Sequence, residues 1–256
     1  MALALSVALL LATAPTALGQ PRSWSERKAA AIDYVQQRSG SESFAFVDRR
    51  GVLWGYRKWR IAPSASLLKA MLLVAYLRRA DVRSRALTDY ERSLLGPMIR
   101  RSDNYTAGVV LGRVGERRLN MLARRVPMRH FRLRSPWGLS EVTAGDQARF
   151  FYRVDRYVPV RHRRYARWLL SSIIASQRWG IPPERPPGWK IFFKGGWGSG
   201  TGRVTHQSAL LQNGTQRISI SVLTEWNPSH RYGTRTIRGV AARLLVTPLP
   251  RRLPLP

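Results

Sequence analysis

The chain has 256 residues, 44% of them hydrophobic, which is enough to bury one large core or two modest ones. It has no cysteine, so a disulfide framework, thiolate catalysis and a thiolate-held metal are excluded. The formal charge is +30, carried almost wholly by arginines spread from Arg22 to Arg252. A charge spread in this way, with no basic tail, points to attraction toward anionic wall polymers or lipid headgroups and away from a nucleic-acid interface.

In chain order, the apolar Met1 to Ala14 segment breaks at Pro15 and reaches the small-residue stretch Ala17-Leu18-Gly19. That is the layout of a signal peptide over 1–19, although no Lys or Arg precedes the apolar run. It is too short to span a bilayer, so export without a retained membrane span is expected. Ser25 to Gly40 reads as a helix with Ser25 as its cap. Ser43 to Asp48 and Val52 to Arg57 read as a hairpin turning at Arg49-Arg50-Gly51.

A helical block follows. It comprises Ser66 to Arg79, a helix opened by the Thr88-Asp-Tyr-Glu91 capping box, Thr106 to Leu111, Glu116 to Arg125, a helix capped by Thr143, and Val160 to Ile174. After the loop from Trp179 to Gly188, strands are expected over Trp189 to Lys194, Arg203 to Leu211 and Arg217 to Glu225, the last two joined at Asn213-Gly214. Thr234 to Leu245 closes as a helix before a frayed, Pro-rich 247–256 tail. The fold class is therefore α+β: a five-stranded antiparallel sheet flanked by N- and C-terminal helices, with an all-helical subdomain inserted at about 66–176 of a 20–246 catalytic domain.

Three short motifs carry chemistry. Ser66-Leu-Leu-Lys69 starts a helix, Ser102-Asp-Asn104 lies between helices, and Lys194-Gly195-Gly196 ends a strand. A serine hydroxyl needs a base to act as a nucleophile, and residues three apart on a helix share a face, so Lys69 can reach Ser66. The only lysines are Lys28, Lys58, Lys69, Lys190 and Lys194. A desolvated ammonium can become a neutral base, which a guanidinium cannot. Each motif has a plainer reading when taken alone: a lysine with its stem packed along a helix, a turn, and a strand end.

Together, in this order, the motifs resemble the Ser-x-x-Lys, Ser-Asp-Asn and Lys-Thr-Gly set of class A β-lactamases and penicillin-binding proteins, and the element order resembles theirs as well. The resemblance implies that Ser66 forms an acyl-enzyme with a small-molecule or peptide-like amide or ester, that Lys69 takes its proton, and that Ser102 relays a proton to the leaving nitrogen. It implies that Asn104 holds Lys69 and the substrate amide, and that Lys194 attracts a substrate carboxylate. Gly195, Gly196 and Trp197 would line the substrate, with the N–H groups of Ser66 and Trp197 as the oxyanion hole. Asp103 is expected to buttress its own turn.

The departures are specific. Gly195 stands where the family has a hydroxyl, with Ser199 and Thr201 as candidate replacements. Ser66 and Ser102 lie 36 positions apart, which implies a trimmed helical insert. The stretch from Val126 to Ser140 has no acid to activate a deacylating water, which leaves Glu141 as the sole candidate base; interaction with a helix start is its stronger reading. His130, His162, His206 and His230 lack metal-ligand spacing, and no Gly-x-Ser-x-Gly elbow is present. Trp137 and Trp197 are candidate substrate walls. No metal, cofactor or nucleic-acid partner is expected, and the protein is expected to be a secreted or envelope monomer; a non-hydrolytic penicillin-recognising or wall-binding protein is the alternative function.

Overall fold

The computed structural model describes residues 23–198, 200–247 and 249. The expected signal segment and residues 250–256 of the tail lie outside the described residues. Helix α1 (Trp24–Gln36) starts at Ser23, whose hydroxyl accepts from Glu26 N while the Glu26 carboxylate accepts from Ser23 N. The reciprocal pair needs an acid three residues after the cap, so Ser23 displaces Ser25 from that role. Strands β1 (Ser41–Val47) and β2 (Leu53–Tyr56) form the expected hairpin, and β3 (Ile61–Pro63) leads into a 3-10 turn, Ala65–Leu67.

Helix α2 (Leu68–Leu77) is buried along its whole length. Helix α3 (Asp89–Arg100) starts at the Thr88–Glu91 capping box, and α4 (Asn104–Arg125) is capped by Asp103 and kinks at Gly115. Then come β4 (Glu141–Thr143), α5 (Ala144–Tyr152), α6 (Val154–Tyr157) and α7 (Arg163–Ser171). Strands β5 (Lys190–Gly198), β6 (Val204–Asn213) and β7 (Gln216–Glu225) precede α8 (His230–Leu244). The five-stranded sheet is antiparallel with order β2-β1-β7-β6-β5, which closes the first hairpin onto the last strands.

Both faces of the sheet are covered, so its inner strands lack simple alternation with polar residues. Phe193, Leu211 and Ile220 face a core shared with α1 and α8; Phe192 and Leu210 face a second core built on α2, α3, α4 and α5. Three details differ from the sequence reading. A two-stranded sheet, β3 with β4, puts a strand inside the helical block and ties the approach to Ser66 to Thr143 and Glu141. Strand β5 runs through the glycines to Gly198 and does not end at Lys-Gly-Gly, because its ladder with β6 continues to Gly198↔Val204. Leu249 of the expected frayed tail is buried in the core under α8. Among the described residues no helix is long and apolar enough to cross a membrane.

Candidate active site

Ser66 sits in the 3-10 turn that feeds α2, and its position is fixed from three sides. Ser64 N donates to Ser140 O at 2.6 Å, Leu67 N donates to Ser64 O at 3.0 Å, and the turn packs on β5 and β6. The buried His206 ring braces it from below: Nε2 donates to Pro63 O at 2.9 Å, and Nδ1 accepts from Thr224 N at 3.0 Å. That pairing requires a neutral ring with its proton on Nε2, and burial lowers the His206 pKa from 6.5 to about 4. Ala65 has φ 42° and Ser102 has φ 59°, left-handed values that cost a non-glycine residue about 1–3 kcal/mol and persist only where surrounding contacts impose them. Both strained residues border the site.

The strand that carries Lys194 passes directly over the Ser66 turn. A Cβ on Gly196 would lie 2.8 Å from Ser66 N and 3.1 Å from Leu67 N, so only glycine allows this approach. Gly195 is excluded from bearing a side chain for a different reason. A Cβ there would lie 2.9 Å from the Trp179 ring, whose indole occupies the space where the family's hydroxyl residue would sit. Thr201 does not supply a free replacement, since its Oγ1 donates to Gly198 O at 3.2 Å; Ser199 lies outside the described residues.

Ser102 is the junction of the polar network. Lys69 Nζ donates to Ser102 O at 2.5 Å, to Ser102 Oγ at 3.2 Å and to Asn104 Oδ1 at 2.7 Å. Lys194 Nζ donates to the same Ser102 Oγ at 2.9 Å and to Gly195 O at 2.7 Å. When both amines are protonated, the Ser102 hydroxyl oxygen accepts from each of them; when one is neutral, its lone pair can accept the hydroxyl proton instead. Lys69 makes no hydrogen bond to Ser66, and the Ser66 hydroxyl has no hydrogen-bond partner among the described residues. The Ser-x-x-Lys spacing shares a helix face, yet the amine turns toward the Ser-Asp-Asn loop, where three acceptors converge.

Both lysine side chains are fully buried. Burial lowers the Lys69 pKa from 10.5 to about 8, with the Asp103 charge pulling it partly back up. Lys194 is driven well below its ordinary value, first by burial and then by the Lys69 charge. Because the two amines share one hydroxyl, they titrate as a coupled pair. Asp103 does buttress its turn: its Oδ1 accepts from Thr106 N and Thr106 Oγ1, both at 2.7 Å, and these bonds hold its pKa below the usual carboxylate value.

Trp137 and Trp197 each lie beside one of the amines. Lys69 Nζ lies 5.1 Å from the centre of the Trp137 ring, and Lys194 Nζ lies 6.0 Å from that of Trp197. Trp197 is 37% exposed and meets Trp179 edge-on at 5.9 Å, forming an aromatic rim with His230. Glu141 is not brought to Ser66. It neither caps a helix nor meets the network: its carboxylate accepts from Arg134 Nε at 2.9 Å and Nη2 at 2.5 Å while its backbone pairs with β3. Among the described residues no carboxylate hydrogen-bonds to Ser66, Lys69, Ser102 or Lys194.

His206 and Trp179 carry no signal of their own in the sequence that marks them as site residues: His206 lacks metal spacing, and its place opposite Gly196 in the β5–β6 ladder exists only once the strands pair. Trp179 leaves one trace in the sequence, the Gly195 that replaces a larger residue.

Comparison with known proteins agrees with this architecture. The model of the beta-lactamase enzyme family matches residues 88–247. A β-lactamase from Sphaerobacter thermophilus superposes with TM-score 0.74 at 20% identity, covering 88% of this chain and 97% of that one. A β-lactamase from Xanthomonas campestris gives 0.75 at 16% identity, with 86% and 97% covered, and PBP-A gives 0.71 at 15% identity, with 86% and 95% covered. At these identities the likeness is one of fold. No curated protein matches the chain.

Proposed function

Because the chain belongs to the beta-lactamase enzyme family and is a serine hydrolase related to the class A β-lactamases, we propose that it opens an amide or ester bond through an acyl-enzyme on Ser66 and deacylates slowly. The observation that carries this reading is the Ser102 hydroxyl held by both buried amines, at 3.2 and 2.9 Å. Ser66 Oγ attacks the carbonyl carbon, and its proton goes to neutral Lys69. The contact between the hydroxyl and the amine, three positions apart in the Ser-x-x-Lys segment, is one that substrate binding would complete. The N–H groups of Ser66 and Trp197 would receive the developing oxyanion. As the carbon–nitrogen bond breaks, Ser102 passes its proton to the leaving nitrogen and is reprotonated from the Lys69 ammonium.

Lys194 holds the Ser102 hydroxyl in place through its 2.9 Å bond, and Asn104 holds the Lys69 amine while its exposed side orients the substrate amide. The second half-reaction needs a water activated by a base. With no carboxylate at the network and the Trp137 indole lying over Lys69, deacylation should lag behind acylation by about the 10²–10⁴-fold that general-base catalysis contributes. A penicillin-recognising protein that never turns over is the second reading, favoured by the same missing carboxylate. The apolar leader and the high positive charge support export and residence near anionic envelope polymers.

The test is a time course of intact mass after mixing with a β-lactam and then removing the free ligand. Rapid adduct formation followed by slow loss is expected. Multiple turnover without an accumulating adduct would overturn slow deacylation, and an adduct that never decays would assign the second reading.

A further inference from the structure

A groove of about 890 Å³ lies between α3 and α7, outside the Ser66 network. Its α3 wall carries Arg92 and Arg100 on either side of Gly96, the spacing of one helix face; its α7 side carries Arg164, Tyr165 and Trp168, with Arg161 just before the helix. Gly96 has no neighbour within 4 Å of where a Cβ would stand, and this small residue opens the groove floor. Arg92, Arg101, Arg161 and Arg164 are exposed, their guanidinium groups make no hydrogen bond or ion pair with any described residue, and no acidic residue lines the groove. Elsewhere several carboxylates are paired with arginines, as in Arg85–Glu91, Arg134–Glu141 and Arg167–Asp155. Uncompensated guanidiniums facing one another across a groove repel unless an anion enters.

We propose that this groove binds a phosphate polymer without bases, a polyol- or sugar-phosphate chain, and that it docks the enzyme on such a polymer independently of the chemistry at Ser66. Guanidinium groups approach from both walls. A tetrahedral phosphate offers oxygens in several directions, whereas one in-plane fork satisfies a flat carboxylate. The aromatic pair argues against nucleic acid. Tyr165 and Trp168 stack on each other with centroids 5.8 Å apart, and each also carries a guanidinium, Arg92 at 5.2 Å and Arg100 at 5.0 Å. Base recognition by stacking needs a free ring face, and these faces are occupied. The groove is also joined to the catalytic loop: Arg100 and Arg101 run directly into Ser102, and their carbonyls accept from Ile174 N at 3.1 Å and Gln177 Nε2 at 2.8 Å.

The experiment is a binding titration of the full chain with short poly(glycerol phosphate) at about 0.15 M salt, where unspecific charge attraction is screened. Single-stranded DNA and polyglutamate of equal charge are titrated in parallel. The variant R92Q/R161Q/R164Q should lose about tenfold or more in affinity. The control R50Q/R117Q/R235Q, which removes the same charge elsewhere, should stay within about twofold. Gly96→Leu fills the groove without changing charge and should also weaken binding. Equal losses in the groove and control variants would overturn the site, as would full affinity in Gly96→Leu. DNA or polyglutamate binding as tightly as the phosphate polymer would overturn the ligand class.

Discussion

Raising the pH should switch on acylation at Ser66 with an inflection set by Lys69. Burial takes this amine from 10.5 to about 8, which corresponds to about 3 kcal/mol in favour of the neutral form. An amine that titrates there is about 1% neutral at pH 6, about half neutral at pH 8 and about nine-tenths neutral at pH 9. Acylation should therefore climb roughly 50-fold between pH 6 and 8, then gain less than about twofold beyond. An ordinary lysine would still be gaining about tenfold per pH unit at pH 9. Asp103 supplies an independent handle, because its charge opposes the burial effect on Lys69. Asp103→Asn keeps the oxygen that caps Thr106 and removes the charge, so the inflection should move to lower pH. The assay is the second-order rate of adduct formation with a fluorescent penicillin across this range. A flat profile, a rate still rising tenfold per unit at pH 9, or an inflection displaced upward in Asp103→Asn would exclude Lys69 as the titrating base.

Ser102→Ala removes the oxygen shared by both amines but leaves Lys69 its bonds to Ser102 O and Asn104 Oδ1. Acylation should fall by about 10²–10⁴-fold with little change in melting temperature; a large loss of stability instead would make Ser102 a structural residue. Gly196→Ala places a methyl 2.8 Å from Ser66 N, so it should push β5 off the nucleophile turn. Both the melting temperature and the acylation rate should drop, and a wild-type rate would contradict the close approach. His206 has a pKa of about 4 in the folded chain against 6.5 for an unperturbed ring, so the native state binds fewer protons. Its contribution should be intact above about pH 6.5 and decline by about 3 kcal/mol as pH falls toward 4. In urea titrations at several pH values, His206→Gln should lack that slope, and an unchanged slope would place the titration elsewhere.

Much of the fold was legible because its signals are local. The Thr88–Glu91 box, the Thr143 cap and the Asn213-Gly214 turn each act within a few residues, and the sheet follows from strand composition at both ends of the chain. The short strands β3 and β4 were not legible. With three residues each they carry no periodicity and exist through each other. Strand β5 was cut short for a related reason: glycines read as breakers, yet Gly195 and Gly196 are there because Trp179 and the Ser66 turn come too close for a side chain.

For the site, the motifs named Lys69, Ser102, Asn104 and Lys194, which hydrogen bonds join in the fold. Their spacing could not show that Lys69 turns to Ser102 and Asn104 and leaves Ser66 unbonded, because that choice depends on acceptors 33 and 35 positions away in the chain. The groove between α3 and α7 was hidden for a similar reason. Its arginines are unremarkable in a chain full of them until two helices bring them together without an acid.

Ser66 is proposed as the nucleophile and a neutral Lys69 as the base that activates it. Peptide-mapped mass spectrometry after a short exposure to a β-lactam or an activated ester, run on the wild type, Ser66→Ala and Lys69→Arg, tests these roles most directly. A single adduct on Ser66 is expected in the wild type and none in Ser66→Ala. In Lys69→Arg the rate should fall by about three orders of magnitude or more, since a guanidinium does not give up its proton. An adduct on another residue, or Lys69→Arg acylating at the wild-type rate, would contradict them.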